Sequence, residues 1–138
     1  MRKLNEIASD LQTLLASGFQ TVRISVSQSP AQLLSEIRAI NPDSLPGVII
    51  AFDSLDYQGM SMTVVCRVKL ILIDQFRAGS DQRALSALQA ASGLMAFFPP
   101  DGKEINGVYY YPQDCVSASP DPQFAAIAIG LEIKQGSL

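Results

Sequence analysis

Apolar residues recur along the chain with two different periods, and these periods predict most of its elements. Near the N-terminus they repeat every three or four residues, which predicts an amphipathic helix that stops at Gly18. Two further segments have the same helical period. One runs from Pro30 to about Asn41, and the other runs from Asp81 until Pro99 ends it. The chain is therefore expected to contain three amphipathic helices.

The third helix carries an apolar stripe with a methionine and a phenylalanine, which we interpret as a core face because such stripes are more often core than cofactor sites. Its members are Leu85, Leu88, Ala91, Leu94, Met95 and Phe98.

Strict alternation of side chains, and short apolar runs between turn residues, predict the strands. A turn that contains Asp53, Asp56 and Gly59 is expected between the second and third of them. The predicted strands are Val22–Val26, Val48–Phe52, Met60–Ile73 and Phe124–Lys134, with either two short strands or one strand broken at Pro112 between Val108 and Ala118. This order predicts a single α+β domain over residues 1–138, in which three amphipathic helices pack mainly on one face of an antiparallel sheet of four to five strands.

The longest predicted strand has two partly apolar faces, since successive side chains point to opposite sides. Met62, Val64 and Cys66 belong to the face that we expect in the core. The other face carries Val65 and Ile71 together with charged residues, and on the last strand the alternate positions are small. A neighbouring subunit is expected to cover this second face.

Composition and charge exclude several classes of partner. The chain is 48% apolar and 17% charged with a net charge of −3, so it lacks the basic surface that nucleic-acid binding requires. No apolar run approaches the roughly 20 residues of a membrane span, and the N-terminus has no signal-peptide pattern, so we expect a cytoplasmic protein without membrane contacts. The low charge predicts that a partner buries part of the surface.

Residues that could carry chemistry are few. The chain has no histidine, which excludes Ser-His-Asp, Cys-His and His-metal chemistry, and no glycine-rich phosphate loop is present. Cys66 and Cys115 have no metal-ligand spacing and are expected to be free thiols. Neither a catalytic site, a cofactor nor a metal is expected.

The layout of the chain resembles the tail-terminator and Mu-like tail-completion proteins of tailed bacteriophages. The residues that carry the resemblance are an N-terminal amphipathic helix, the segment Leu45-Pro46-Gly47-Val48-Ile49-Ile50, a long strand ending in Asp74, a leucine-rich helix and a closing apolar strand. The resemblance implies a homo-oligomeric ring, usually a hexamer, that caps the tail tube in the virion and contacts the head connector. It implies a structural protein, assembled in the bacterial cytoplasm, that is not an enzyme.

We expect the interface of such a ring on the second sheet face and on the hairpin between the second and third strands. The predicted interface residues are Asp53, Leu55, Asp56, Tyr57, Met60, Val65, Arg67, Lys69, Ile71, Ala126, Ala128 and Gly130.

Two alternatives come from other functional classes. In one, the chain is a small ligand-binding or regulatory module with a pocket near Tyr109, Tyr110 and Tyr111, although an edge or interface strand explains this tyrosine run more simply. In the other, it is an enzyme that uses Asp114 and Cys115.

Overall fold

The computed structural model describes residues 2–26, 30–40, 42–58, 63–75, 81–117 and 124–136. These residues form three helices, a short 3₁₀ turn and one six-stranded sheet. The helices are α1 (Leu4–Leu15), α2 (Pro30–Arg38) and α3 (Asp81–Met95). The strands are β1 (Thr21–Ser25), β2 (Gly47–Gln58), β3 (Thr63–Gln75), β4 (Lys103–Ile105), β5 (Val108–Ser117) and β6 (Phe124–Gly136).

The predicted α+β class and the three helices are confirmed, but the sheet has more strands than the four to five expected. Its order is β1-β2-β3-β6-β5-β4. Sequence reasoning missed β4, a strand of three residues that joins β5 through a two-residue turn. Asn106 and Gly107 form this turn with positive φ angles of 52° and 80°, as a tight hairpin requires.

The sheet is mixed rather than wholly antiparallel, because β1 pairs with β2 in parallel. A parallel pair needs a crossover connection, and α2 lies in the connection between these two strands. All the other strand pairs are antiparallel.

Two helices cover one side of the sheet, which we call the core face, and α2 covers part of the other side, the reverse face. Leu11 and Leu15 of α1 and Leu94 of α3 are fully buried on the core face. Alternate residues of the central strands complete this cluster, including Leu70 and Leu131. The N-terminus is tied to β6 as well, since the Arg2 backbone and the Gln135 side chain exchange two hydrogen bonds of 2.9 Å.

The reverse face has a smaller apolar cluster of its own. Ile37 and Ile40, from α2 and the turn after it, are 0% and 3% exposed. They pack against alternate residues of three neighbouring strands, namely Ile49, Ile71, Ile73, Ala126 and Ala128. Part of the face that we assigned to a neighbouring subunit is therefore covered by a helix of the same chain.

The turn predicted around Asp53 and Asp56 is wrong, because β2 continues to Gln58. Asp53 is an unpaired bulge residue between Phe52, which pairs with Val68, and Ser54. One extra residue reverses the alternation of side chains, so Leu55 still packs against the core face beyond the bulge. Pairing with β3 then extends to the end of β2.

The structure resolves the choice left open at Pro112, because β5 is a single strand. Its register against β6 shifts between Pro112 and Asp114. Since β4 pairs only with residues 108–110, Pro112 lies where β5 is an edge strand. Proline, which has no backbone N–H, is accepted at such edges and bulges.

Candidate functional site

The predicted interface residues divide into a buried group and an exposed group. Val65 and Ile71 are 0% and 7% exposed, and Ala126 and Ala128 are also buried. Side chains that are buried within their own subunit cannot form the centre of a contact with another one. We therefore correct the assignment of these four residues to an outer surface, because all four are buried within the chain and Ile71, Ala126 and Ala128 lie in the cluster with α2.

The remaining predicted residues lie at several different places. Arg67, Lys69 and Asp53 are at least partly exposed, whereas Leu55 packs against the core cluster. Asp56 and Tyr57 belong to β2, where they pair with Val65 and Val64. Gly130 is half-buried, and Met60 lies outside the described residues.

The open half of the reverse face is a polar and aromatic surface. Glu132 lies between two cations, with Arg67 Nε 3.9 Å and Lys134 Nζ 3.2 Å from its carboxylate oxygens. Lys134 Nζ is also 5.6 Å from the centre of the Tyr111 ring, which stacks on Tyr109 with 6.4 Å between centroids. These groups lie next to one another across β3, β6 and β5, so this surface carries charges of both signs beside an aromatic pair.

The tyrosine run is divided between the two faces of the sheet. Tyr109 and Tyr111 stack on the reverse face, where Tyr109 is 47% exposed. Tyr110 points to the core face, is fully buried, and contacts Phe98. Burial raises the pKa of the Tyr110 phenol, and no described residue gives its hydroxyl a hydrogen-bond partner.

Asp114 and Cys115 are separated by the sheet. They are successive residues of β5 and so point to opposite faces of the sheet. Asp114 accepts a hydrogen bond of 3.1 Å from the Gly130 N–H, and the Cys115 thiol is exposed. Among the described residues, no group of three His, Cys, Asp or Glu side chains could hold a metal ion.

A groove lies on the core face, between α1 and the first three strands. We call it the α1–β1 groove, and its volume is about 410 Å³. None of the described residues that line it carries a charge. Its outer rim is formed by Leu4, Ile24 and Val26, which are 44%, 45% and 78% exposed.

The floor of the α1–β1 groove contains a thiol. Cys66 of β3 is 3% exposed, and this burial raises the pKa of the thiol to about 11. A thiol with this pKa stays protonated near neutral pH and is a poor nucleophile. The lining of the groove is thus suited to hold apolar groups.

A second unpartnered apolar surface lies on α3, and sequence analysis misread it. Ala91, Leu94 and Phe98 are buried as predicted, but Leu85, Leu88 and Met95 are 65%, 57% and 45% exposed. We call the three exposed residues the α3 ridge. The sequence does indicate an apolar outer side on this helix, since no charged residue occurs from Ala84 to Pro100. A surface helix ordinarily carries charges on its solvent side.

The sequence matches no protein-family model and no curated protein. Across the ranges that the structure describes, no helix has the length and apolar character needed to span a bilayer.

Proposed function

We propose that this chain is a non-enzymatic structural subunit that assembles with copies of itself. Following the family that its layout resembles, the assembly is a ring, expected to be a hexamer, that caps a phage tail tube and joins it to the head connector. The observation that carries this proposal is the exposure of large apolar side chains on two separate surfaces, the α1–β1 groove and the α3 ridge. Contiguous apolar surface of this kind marks contact sites on small proteins.

The low charge of the chain supports the same proposal. Only 17% of its residues are charged, against about 25% in average soluble domains. A closed ring also needs two different contact surfaces on every subunit, because each copy meets its two neighbours through different patches. Two apolar surfaces on separate elements fit that need.

The polar surface on the open half of the reverse face is assigned to a different partner. Its aromatic pair and its ion pairs, which include Arg67, are suited to set orientation and register against the tail tube or the connector. Exposed Lys69 lies on the same face of β3 and belongs to this surface.

Light scattering after size exclusion, combined with electron microscopy, tests self-assembly. We expect a discrete ring at concentrations in the tens of micromolar. The tail role is tested by adding the purified protein to tubes polymerised from a phage tail-tube protein, where capping would stop tube growth. A protein that stays monomeric and leaves tube length unchanged contradicts the proposal.

The second candidate function is that of a small ligand-binding module, with the α1–β1 groove in place of a pocket near the tyrosines. The volume of about 410 Å³ favours it, since small-molecule pockets measure roughly 300–1,000 Å³. A neutral naphthylamine dye, which fluoresces in apolar surroundings, separates the two functions. Saturable one-to-one binding by a strictly monomeric protein would favour the ligand module over the structural subunit.

A further inference from the structure

Four polar residues join the start of the chain to α1 and to β6. The Arg2 guanidinium contacts the two carboxylate oxygens of Asp10 at 2.7 and 2.8 Å, and it lies 3.0 Å from Glu6 Oε2. The Arg2 N–H donates to Gln135 Oε1 and Gln135 Nε2 donates to the Arg2 carbonyl, both at 2.9 Å. Contacts of arginine with both oxygens of a carboxylate are among the strong ones in proteins. We call Arg2, Glu6, Asp10 and Gln135 the Arg2 latch.

The Arg2 latch and the α1–β1 groove lie on opposite sides of α1. A helix has about 3.6 residues per turn, so Glu6 and Asp10 share one side, and Leu4 and Ala8 share the side across from it. Leu4 and Ala8 line the groove, and strand residues such as Cys66 form its floor. The first two turns of α1 are thus one wall of the groove, and the Arg2 latch holds this wall from the far side.

The two halves of α1 are held to the sheet to different extents. In the second half, Leu11 is fully buried, and the Gln12 side chain donates a hydrogen bond of 3.0 Å to the Val22 carbonyl of β1. In the first half, Ile7 is buried but Leu4 is 44% exposed. A segment with fewer buried apolar contacts opens at a lower cost in free energy. The position of the first half therefore depends more strongly on the Arg2 latch.

The Arg2 latch also acts on a buried hydroxyl. Tyr110 is fully buried, and its hydroxyl has no hydrogen-bond partner among the described residues. Burial and then the Asp10 carboxylate raise the pKa of this phenol, and the Arg2 guanidinium lowers it, so both charges are near enough to act on it. A buried polar group without a partner costs free energy that is recovered when water reaches it. Hydration of Tyr110 would therefore offset part of the cost of opening the structure at the latch.

We infer that the Arg2 latch controls the width of the α1–β1 groove. When the latch is released, the first two turns of α1 move away from the sheet, while the second half of the helix stays in place. Cys66 on the groove floor is 3% exposed in the latched structure and becomes accessible in the released one. The inference concerns a single chain, so it does not rest on the proposed self-assembly.

The reaction rate of Cys66 with a neutral thiol reagent measures this opening. In a Cys115→Ser background, Cys66 is the remaining thiol of the chain. Arg2→Ala should raise the rate about tenfold, the factor expected when a charge-assisted contact is lost. Arg2→Lys keeps the charge but loses the contact with both Asp10 oxygens, and it should give a smaller increase. Lys3→Ala removes the neighbouring exposed cation outside the latch and should change the rate by less than about twofold.

Two further variants separate the latch from a general loss of stability. Asp10→Asn should raise the rate of Cys66 as Arg2→Ala does, and the double variant should react no faster than either one, because both changes remove the same contact. In a Cys66→Ala, Cys115→Ser chain, Ala91→Cys introduces a thiol at a buried position of α3. Arg2→Ala should leave the reaction rate of that thiol unchanged. All rates are compared at one protein concentration.

Amide hydrogen exchange locates the segment that moves. In Arg2→Ala, the amides of residues 7–10 should exchange about tenfold faster than in wild type, in line with the thiol rate. The amides of residues 11–15 should keep their wild-type rates, because the second half of α1 stays packed on the sheet.

Three results would overturn the inference. If Arg2→Ala leaves the rate of Cys66 unchanged, the latch does not hold the wall of the groove. If the thiol introduced by Ala91→Cys reacts faster by the same factor, Arg2→Ala loosens the whole core. If exchange speeds up along the whole of α1, the helix detaches as one piece. None of these results bears on self-assembly, which light scattering measures separately.

Discussion

Replacing Ile71 by aspartate tests whether the reverse face of the sheet belongs to the core of the subunit. Ile71 is 7% exposed and packs in the cluster formed with Ile37 and Ile40. If α2 covers this face, the substitution should unfold the chain. If a neighbouring subunit covered it, the substitution would give a folded monomer.

The cost can be estimated in two steps. Truncating a buried isoleucine to alanine costs about 2–5 kcal/mol, and Ile71→Ala should fall near the lower end because α2 forms a thin cover of one short helix. Aspartate adds the cost of placing a carboxylate among apolar side chains, which is several kcal/mol. The sum of about 5 kcal/mol or more approaches the whole stability of a small domain, which is about 5–15 kcal/mol.

Urea unfolding followed by circular dichroism measures these changes, and size exclusion shows the state of each variant. Ile71→Ala should unfold at lower urea concentration with an unchanged slope, and Ile71→Asp should be largely unfolded without urea. Lys69→Asp is the matched control, since Lys69 lies two residues away on the same face but is exposed. It should change the free energy of unfolding by less than about 0.5 kcal/mol.

A folded, monomeric Ile71→Asp chain would refute the reasoning, since it would show that α2 does not hold this face in solution. If Ile71→Asp abolished self-assembly without changing the free energy of unfolding, Ile71 would belong to the subunit interface.

Three further predictions concern single groups of the core and the sheet. Tyr110→Phe should raise the free energy of unfolding by about 1 kcal/mol, because the buried hydroxyl has no hydrogen-bond partner among the described residues. Folding raises the pKa of Cys66 to about 11, so the native state keeps a proton that the unfolded state loses from about pH 9. Stability should therefore fall by up to about 3 kcal/mol as pH rises to 11, and Cys66→Ala should remove this part of the fall and leave the part that the buried Tyr110 phenol causes. Gly130→Ala should cost about 1 kcal/mol, because the added Cβ would contact the Asp114 carboxylate that accepts the Gly130 N–H.

Each of these predictions has a control. For Tyr110, the exposed Tyr109→Phe should change stability by less than about 0.5 kcal/mol, and an equal gain there would contradict the role of burial. For Cys66, an identical pH profile in Cys66→Ala would show that other groups cause the fall. For Gly130, the double variant Gly130→Ala, Asp114→Ala should lose little more stability than Asp114→Ala alone. If Gly130→Ala costs as much in that background, the loss of stability comes from the backbone and not from the Asp114 contact.

The sequence alone predicts the elements that depend on local patterns. The stripe of α1 and the long alternation of β3 are set by side-chain period, which acts over a few residues. Pro99 likewise keeps the chain from continuing α3, although that helix already ends at Met95. The Asn106-Gly107 turn follows in the same way from local conformational preference. For the same reason, sequence identified the residues that share each face of β3.

Only the tertiary structure decides what covers a face. Alternation places Val65 and Ile71 on one side of β3, but it cannot distinguish a helix of the same chain from a neighbouring subunit, because both would bury the same apolar side chains. The crossover that puts α2 on the reverse face depends on the parallel pairing of β1 with β2, a contact between distant segments. As a result of this pairing, residues that we expected at a subunit interface lie in the core of the chain.

The same limit explains the bulge and the α3 ridge. Aspartate is common in turns, yet Asp53 lies within a strand because the residues on both sides of it pair with β3. Leu85 and Leu88 have the spacing of a core stripe, yet the sheet accepts only the side of α3 that carries Ala91 and Leu94. A helix is a cylinder, and only one side of it can contact a flat sheet. Apolar residues of α3 that lie outside this contact stay exposed. Which residues lie inside the contact is known only from the packed structure.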